Sequence, residues 1–170
     1  MVPVISFVGC ANSGKTTCLE ELIPLLRQRG YRVGVVKHHG YNFAIDHPGK
    51  DTWRFAQAGA EAVALASPQK LAIVRQLPVE LPLAEIAADM GELDLLLTEG
   101  YKHGKQDKIE VVRPGRKPVL AAEALAALVA DEAHYEAVPT FSFGELHRLV
   151  DFLEHRFNLQ SRRAEAGQHA

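Results

Sequence analysis

Val4-Ile5-Ser6-Phe7-Val8 runs straight into Gly9-Cys10-Ala11-Asn12-Ser13-Gly14-Lys15-Thr16, and this junction constrains the fold more than any other stretch. An apolar strand that ends in G-x-x-x-x-G-K-[ST] and opens a helix is a phosphate-binding loop. Gly9 and Gly14 let the backbone turn tightly, so that N–H groups between them converge on an anion at the positive end of a helix. Lys15 then reaches the β and γ phosphates, and the Thr16 hydroxyl takes one position on a magnesium ion. Asn12, Ser13 and Thr17 add donors. The plain alternative is a glycine turn that matches by chance, against which the strand before and the helix after both argue.

The rest of the chain reads as alternating strands and helices. Leu19, Leu22, Ile23 and Leu26 mark one face of a helix from Lys15 to Arg29, in which Pro24 removes a backbone donor and predicts a local irregularity. Tyr31 to Lys37 is a second strand, completing a βαβ unit. His38 to Lys50 has no period and reads as a long loop. Asp51 is placed to cap a helix from Thr52 to Ala58. Ala62 to Ala66 and Lys70 to Arg75 flank Ser67-Pro68-Gln69, a connection too short for a crossover, which predicts an antiparallel pair.

Further on, Leu83, Ile86, Ala87 and Met90 share a helix face. Asp94 to Thr98 has the apolar core of a strand covered on both sides, and Lys108 to Arg113 is another strand. The alanine-rich stretch Ala121 to Ala133 fits a helix, or a helix followed by a short strand. Val138 to Phe141 reads as a last strand, and Ser142 with Glu145 as a capping box opening a helix to about Phe157. The fold class expected is α/β, a three-layer P-loop NTPase fold with a mostly parallel, mixed central sheet. Residues 1–157 are expected to form a single nucleotide-binding domain, and the polar tail 158–170 to fray.

With 19 Lys+Arg against 21 Asp+Glu, total charge gives no case for wrapping nucleic acid or lying on an anionic membrane. Cys10 and Cys18 are wrongly spaced for a disulfide framework and read as packing residues. Val119 to Ala130, the longest apolar stretch, is too short to span a bilayer. A cytoplasmic protein is the expectation.

A phosphate loop needs a carboxylate near its metal, and in open α/β sheets ligands sit at the carboxyl ends of strands. Leu95-Leu96-Leu97-Thr98-Glu99-Gly100 supplies Glu99 as a second magnesium-binding and catalytic candidate beside Thr16. Gly100 would let the backbone pass close to the γ-phosphate. Lys37 and His38 end the second strand on the same edge and are candidates to face the nucleotide; His39 points to the other side, which makes the two histidines poor joint ligands. Asp46 and Asp51 are candidates to orient the attacking water, with a helix cap as the other reading of Asp51. Lys102, His103, Lys105, Lys108, Arg113, Arg116 and Lys117 form a basic stretch, read either as a solvated face or as a site for an anionic ligand.

Together, Asn12 to Thr17, Val36-Lys37-His38, Asp46-His47-Pro48-Gly49-Lys50-Asp51, Ala58-Gly59-Ala60, Thr98-Glu99-Gly100-Tyr101-Lys102 and Lys108-Ile109-Glu110 resemble the MobB family, the molybdopterin-guanine dinucleotide biosynthesis proteins. The resemblance implies a GTP-binding, magnesium-dependent and weakly hydrolysing accessory factor. It implies a homodimer that works with the nucleotidyltransferase that attaches GMP to molybdopterin. In that setting the basic stretch around Lys102, Lys105 and Lys108 is a candidate molybdopterin contact. Glu99 matches the family's acidic residue after the apolar strand, and Asp51 lies in its Gly-Lys-Asp signature. The Asn-Lys-x-Asp guanine motif is absent, so GTP preference is what the resemblance implies. Two other readings use the same residues. One is a small phosphotransferase with Arg113 and Arg116 as lid cations; the other is a nucleotide-gated binding module without turnover, carrying metal on His38, His39 and Cys10.

Overall fold

The computed structural model describes residues 2–132 and 134–160; of the tail expected to fray, residues 161–170 lie outside the described residues. In chain order the elements are β1 (Val4–Val8), α1 (Lys15–Gln28), β2 (Val33–Lys37), α2 (Asp51–Gln57), β3 (Ala62–Ser67), β4 (Lys70–Arg75), α3 (Leu83–Asp89), β5 (Leu95–Glu99), β6 (Asp107–Val111), β7 (Ala127–Val129), β8 (Thr140–Phe141) and α4 (Leu146–Phe157). Contacts divide the chain into two compact units, Met1–His38 with Ala87–Ala170, and His39–Ile86.

The first unit is built on a six-stranded sheet in the order β2-β5-β1-β6-β7-β8. Every neighbouring pair in it is parallel. β5 is therefore an inner strand, and Leu95, Leu96, Leu97 and Thr98 are all fully buried, as its apolar run predicts. Alternation sorts the side chains. Ile5, Phe7, Leu95, Leu97, Ile109, Val111, Ala127 and Val129 share a core with α1 and α4, to which α1 gives Cys18, Leu19, Leu22 and Leu26, and α4 gives Leu146, Leu149, Val150 and Leu153. On the opposite face Leu128 packs with Val112, Ala130 and Val138, beside a 3-10 turn at Ala122–Ala124. The alanine-rich stretch is thus that turn followed by β7.

The antiparallel pairing of β3 with β4 is as expected, running from Ala62 opposite Arg75 to Ser67 opposite Lys70. Its place is not: the pair is a two-stranded sheet of its own in the second unit, so the central sheet is not mixed. A tight two-strand connection fixes antiparallel pairing locally but carries no information about which other strand the hairpin meets. α2 belongs to the same unit. Asp51 is its first helical residue rather than its cap; the capping position is Lys50, with no side-chain cap bond.

Local chemistry explains the ends of the helices. α1 continues through Pro24; both Pro24 and Glu20, whose carbonyl loses its partner, are exposed, so water replaces the missing bond. The Ser142–Glu145 capping box forms, with the Ser142 N–H donating to Glu145 Oε2 at 3.1 Å. That bond and the neighbouring Arg148 hold the Glu145 carboxyl below its ordinary pKa. Glu110 is 1% exposed, and its carboxylate accepts the N–H groups of Val119 and Leu120 at 2.7 and 3.0 Å, anchoring the loop after β6.

α1 and α4 are also clasped at their polar ends. Arg29 pairs with Asp151 and Glu154, each at 2.6 Å, and the Tyr31 hydroxyl donates to Glu154 at 2.9 Å. Burial, reinforced by Glu154, pushes the Tyr31 phenol up from 10 to about 12. A raised folded-state pKa contributes stability below pH 10 that is lost as pH rises towards 12. We expect Tyr31→Phe to cost about 1 kcal/mol at neutral pH; denaturant titrations along a pH series should show the gap from wild type closing between pH 10 and 12.

The two cysteines part company. Cys18 is fully buried, and burial pushes its thiol up to about 12. Cys10 is exposed, which corrects its reading as a packing residue. At pH 8, iodoacetamide followed by mass spectrometry should label Cys10 promptly and Cys18 only on unfolding, since the thiolate is the reactive form.

Candidate functional site

The loop between β1 and α1 is held by backbone fit. Gly9 has φ 137°, and a Cβ there would fall 2.5 Å from the Val111 carbonyl oxygen, at the end of β6. No side chain fits that approach. Gly14, at φ 93°, caps α1 and lies against Phe143, whose Cζ would be 3.1 Å from an added Cβ. Asn12 turns the loop between them with φ 57°, a conformation asparagine tolerates. Ser13 is buried, and its N–H reaches the Cys10 carbonyl at 3.3 Å. α1 carries no acidic residue in its first turn, so nothing there opposes an anion at its positive end.

Lys15 Nζ is folded back onto the loop, donating to the carbonyls of Cys10 at 2.6 Å and Gly9 at 3.2 Å. Thr16 and Thr17 are exposed in the first turn of α1. The Thr16 hydroxyl donates to Glu99 Oε2 at 3.1 Å, and Lys37 Nζ stands 3.5 Å from Glu99 Oε1. Lys37 and Glu99 are register partners at the carboxyl ends of β2 and β5. The structure thus brings together the loop, Thr16, Glu99 and Lys37 at one edge of the sheet.

These donors suit a hard cation. Thr16 gives its proton to Glu99, which leaves the hydroxyl lone pairs and the second carboxylate oxygen for a metal with oxygen ligands. Among the described residues no three His, Cys, Asp or Glu side chains cluster as a metal site.

Gly100 and His38 close the edge. The His38 N–H donates to the Glu99 carbonyl at 2.9 Å, and the Gly100 N–H to that of Phe7 at 3.0 Å. A Cβ on Gly100 would meet His38 Cβ at 3.1 Å. The His38 ring lies 4.4 Å from that of Tyr101, centroid to centroid. His39 belongs to the second unit, where Nδ1 lies 3.0 Å from the Tyr41 carbonyl. Asp46 and Asp51 lie there too: half-buried Asp46 accepts the His47 N–H at 2.8 Å, and exposed Asp51 stands 3.8 Å from Arg54.

The basic stretch divides by role. Lys108 Nζ is taken up by the carbonyls of Gly104 and Gln106, at 2.6 and 3.0 Å. Lys102, His103, Lys105, Arg113, Arg116 and Lys117 are exposed. Residues that the motif search passed over lie underneath. The Ser6 and Thr98 hydroxyls meet at 2.6 Å, and the Gln106 amide donates to Ser6 at 2.7 Å, tying the loop after β5 to the strands below the phosphate loop. The available signal was a hydroxyl-bearing residue within each of two apolar strands. Phe143, readable only as part of a helix face, supports Gly14.

Comparison with known proteins bears on the fold and the family. The family model for molybdopterin guanine dinucleotide synthesis protein B matches residues 4–131. The molybdopterin-guanine dinucleotide biosynthesis adapter protein of Escherichia coli is 40% identical over 119 residues, 68% of each chain. That of Haemophilus influenzae is 35% identical over 157 residues, 90% of this chain and 88% of its own. A crystal structure of molybdopterin-guanine biosynthesis protein B superposes with a TM-score of 0.71 at 32% identity, covering 90% of this chain and 99% of that one. Bacillus subtilis MobB has a TM-score of 0.70 at 24% identity, covers 94% and 99%, and attests the fold. With its phosphate-loop sequence, its parallel sheet and these relatives, the chain belongs to the MobB family of molybdopterin-guanine dinucleotide synthesis proteins.

Proposed function

We propose that the protein is a nucleotide-binding adapter in molybdopterin-guanine dinucleotide biosynthesis, taking GTP with magnesium and hydrolysing it slowly in the cytoplasm. The observation that carries this reading is the 3.1 Å contact of Thr16 with Glu99, which joins the phosphate loop to the acid at the end of β5. The backbone from Gly9 to Gly14 would cradle the phosphates, and Lys15 would exchange its loop carbonyls for phosphate oxygens. Thr16 and Glu99 would hold magnesium, which when bound neutralises charge on the β and γ oxygens. Orientation of the attacking water by Asp51 is supported by the family's Gly-Lys-Asp signature alone. Preference for GTP over ATP is supported by the family alone.

The partner we propose is the nucleotidyltransferase that completes the dinucleotide. Lys102 and Lys105, exposed on the loop after β5, are offered as contacts for molybdopterin or for that partner; Lys108 is committed to its own loop. A homodimer is supported by the second unit. Every residue of β4 is exposed, including Leu71 and Ile73 at 63% and 58% on one face of the hairpin, and on its other face Leu65 of β3 is 65% exposed. A two-stranded hairpin with so much apolar surface in water is marginal by itself.

Two experiments test this. In titrations of a fluorescent GTP analogue against ATP competition, Lys15→Ala should weaken triphosphate binding about ten- to a hundredfold, while Glu99→Ala should remove the magnesium dependence and spare metal-free binding. Absence of nucleotide binding in wild type would sink the proposal. Sedimentation velocity should find wild type dimeric and Ile73→Glu monomeric, with nucleotide binding retained.

A further inference from the structure

The contact between Lys37 and Glu99 has a use that phosphate binding does not require. Glu99 is an internal residue of the sheet edge, its side chain only 15% exposed, and each carboxylate oxygen has a different neighbour. Oε2 accepts the Thr16 hydroxyl; Oε1 faces Lys37 Nζ at 3.5 Å. Oε1 is thus the oxygen left over for a metal, and the ammonium already stands beside it. Because Lys37 and Glu99 are register partners on neighbouring parallel strands, their side chains leave the same face of the sheet, the face covered by α1. The Lys37 side chain is 63% exposed, so releasing the carboxylate needs only rotation of a flexible stem into water.

We propose that Lys37 is the internal counter-ion of Glu99 and competes with the divalent cation for it, so that metal entry requires the ammonium to leave. The inference rests on the nucleotide-binding reading above and adds regulation of the same site. Without metal, Lys37 holds the carboxylate neutralised and aimed; with metal, the ammonium is displaced to solvent. Lys37 therefore sets how much magnesium the site needs, and it weakens the metal rather than assisting it. An exposed ion pair is worth little, so the effect is modest, about two- to fivefold in metal affinity.

Lys37→Met keeps the apolar stem and removes the charge. With a fluorescent GTP analogue, the magnesium concentration at half-maximal binding should fall about two- to fivefold in this variant. In a Glu99→Ala background the same substitution should do nothing. Electron paramagnetic resonance titration of Mn2+ into nucleotide-free protein should show the same ordering, and it tests Lys37 even if the protein proves to bind no nucleotide. Equal metal affinities in wild type and Lys37→Met would overturn the proposal. So would a loss of nucleotide affinity at every metal concentration, which would make Lys37 a phosphate contact instead. Absence of nucleotide binding in wild type would instead count against the function proposed above, leaving the Mn2+ series to decide on Lys37.

Discussion

The approach of Gly9 to the Val111 carbonyl governs everything built at this edge of the sheet. Backbone passes over backbone there with no room for a methyl group, so the chain leaving β1 is steered across the end of β6 and delivered into α1 at one angle. α1 is then seated on the sheet by Cys18, Leu19, Leu22 and Leu26. Thr16, in its first turn, arrives opposite Glu99 because β1 and β5 are register partners, Phe7 beside Glu99. The position of one hydroxyl is thus decided by a glycine at the far end of the loop that precedes it.

Below that edge, polarity is placed sparingly. Ser6 and Thr98 satisfy one another inside an otherwise apolar pair of strands, and Gln106 reaches in to join them. A buried hydroxyl without a partner would be costly, so these groups are bound to a single arrangement. The loop from Gly100 to Gln106 is consequently pinned at both ends, by the Gly100 N–H on Phe7 and by the Gln106 amide on Ser6. Its cations Lys102 and Lys105 are left to solvent on a fixed base.

What could be read in the sequence was whatever depends on short-range pattern. The phosphate loop, the apolar β5, the hairpin of β3 and β4 and the Ser142–Glu145 box are all encoded within a dozen residues, and each has the expected local form. Ranges shifted where propensity was the only guide: the β2 expectation began at Tyr31, which instead lies buried before a strand that starts at Val33. Asp51 looked like a cap because aspartate prefers that place, yet Lys50 occupies it. Long-range facts were beyond reach. Nothing local tells that the hairpin stands apart from the central sheet, that Phe143 braces Gly14, that Lys108 is consumed by its own loop, or that Glu110 is buried beneath Val119 and Leu120.

The strand order has a consequence for the growing chain. Ser6 meets Thr98 across 92 positions of sequence, and β1 finds its neighbours only in β5 and β6, which end at Glu99 and Val111. During synthesis the phosphate loop is thus made before β5 and β6, the two strands that flank β1. Parallel sheets of such separation close late. A nascent fragment that stops short of β6 therefore carries the motif without the strands that flank it.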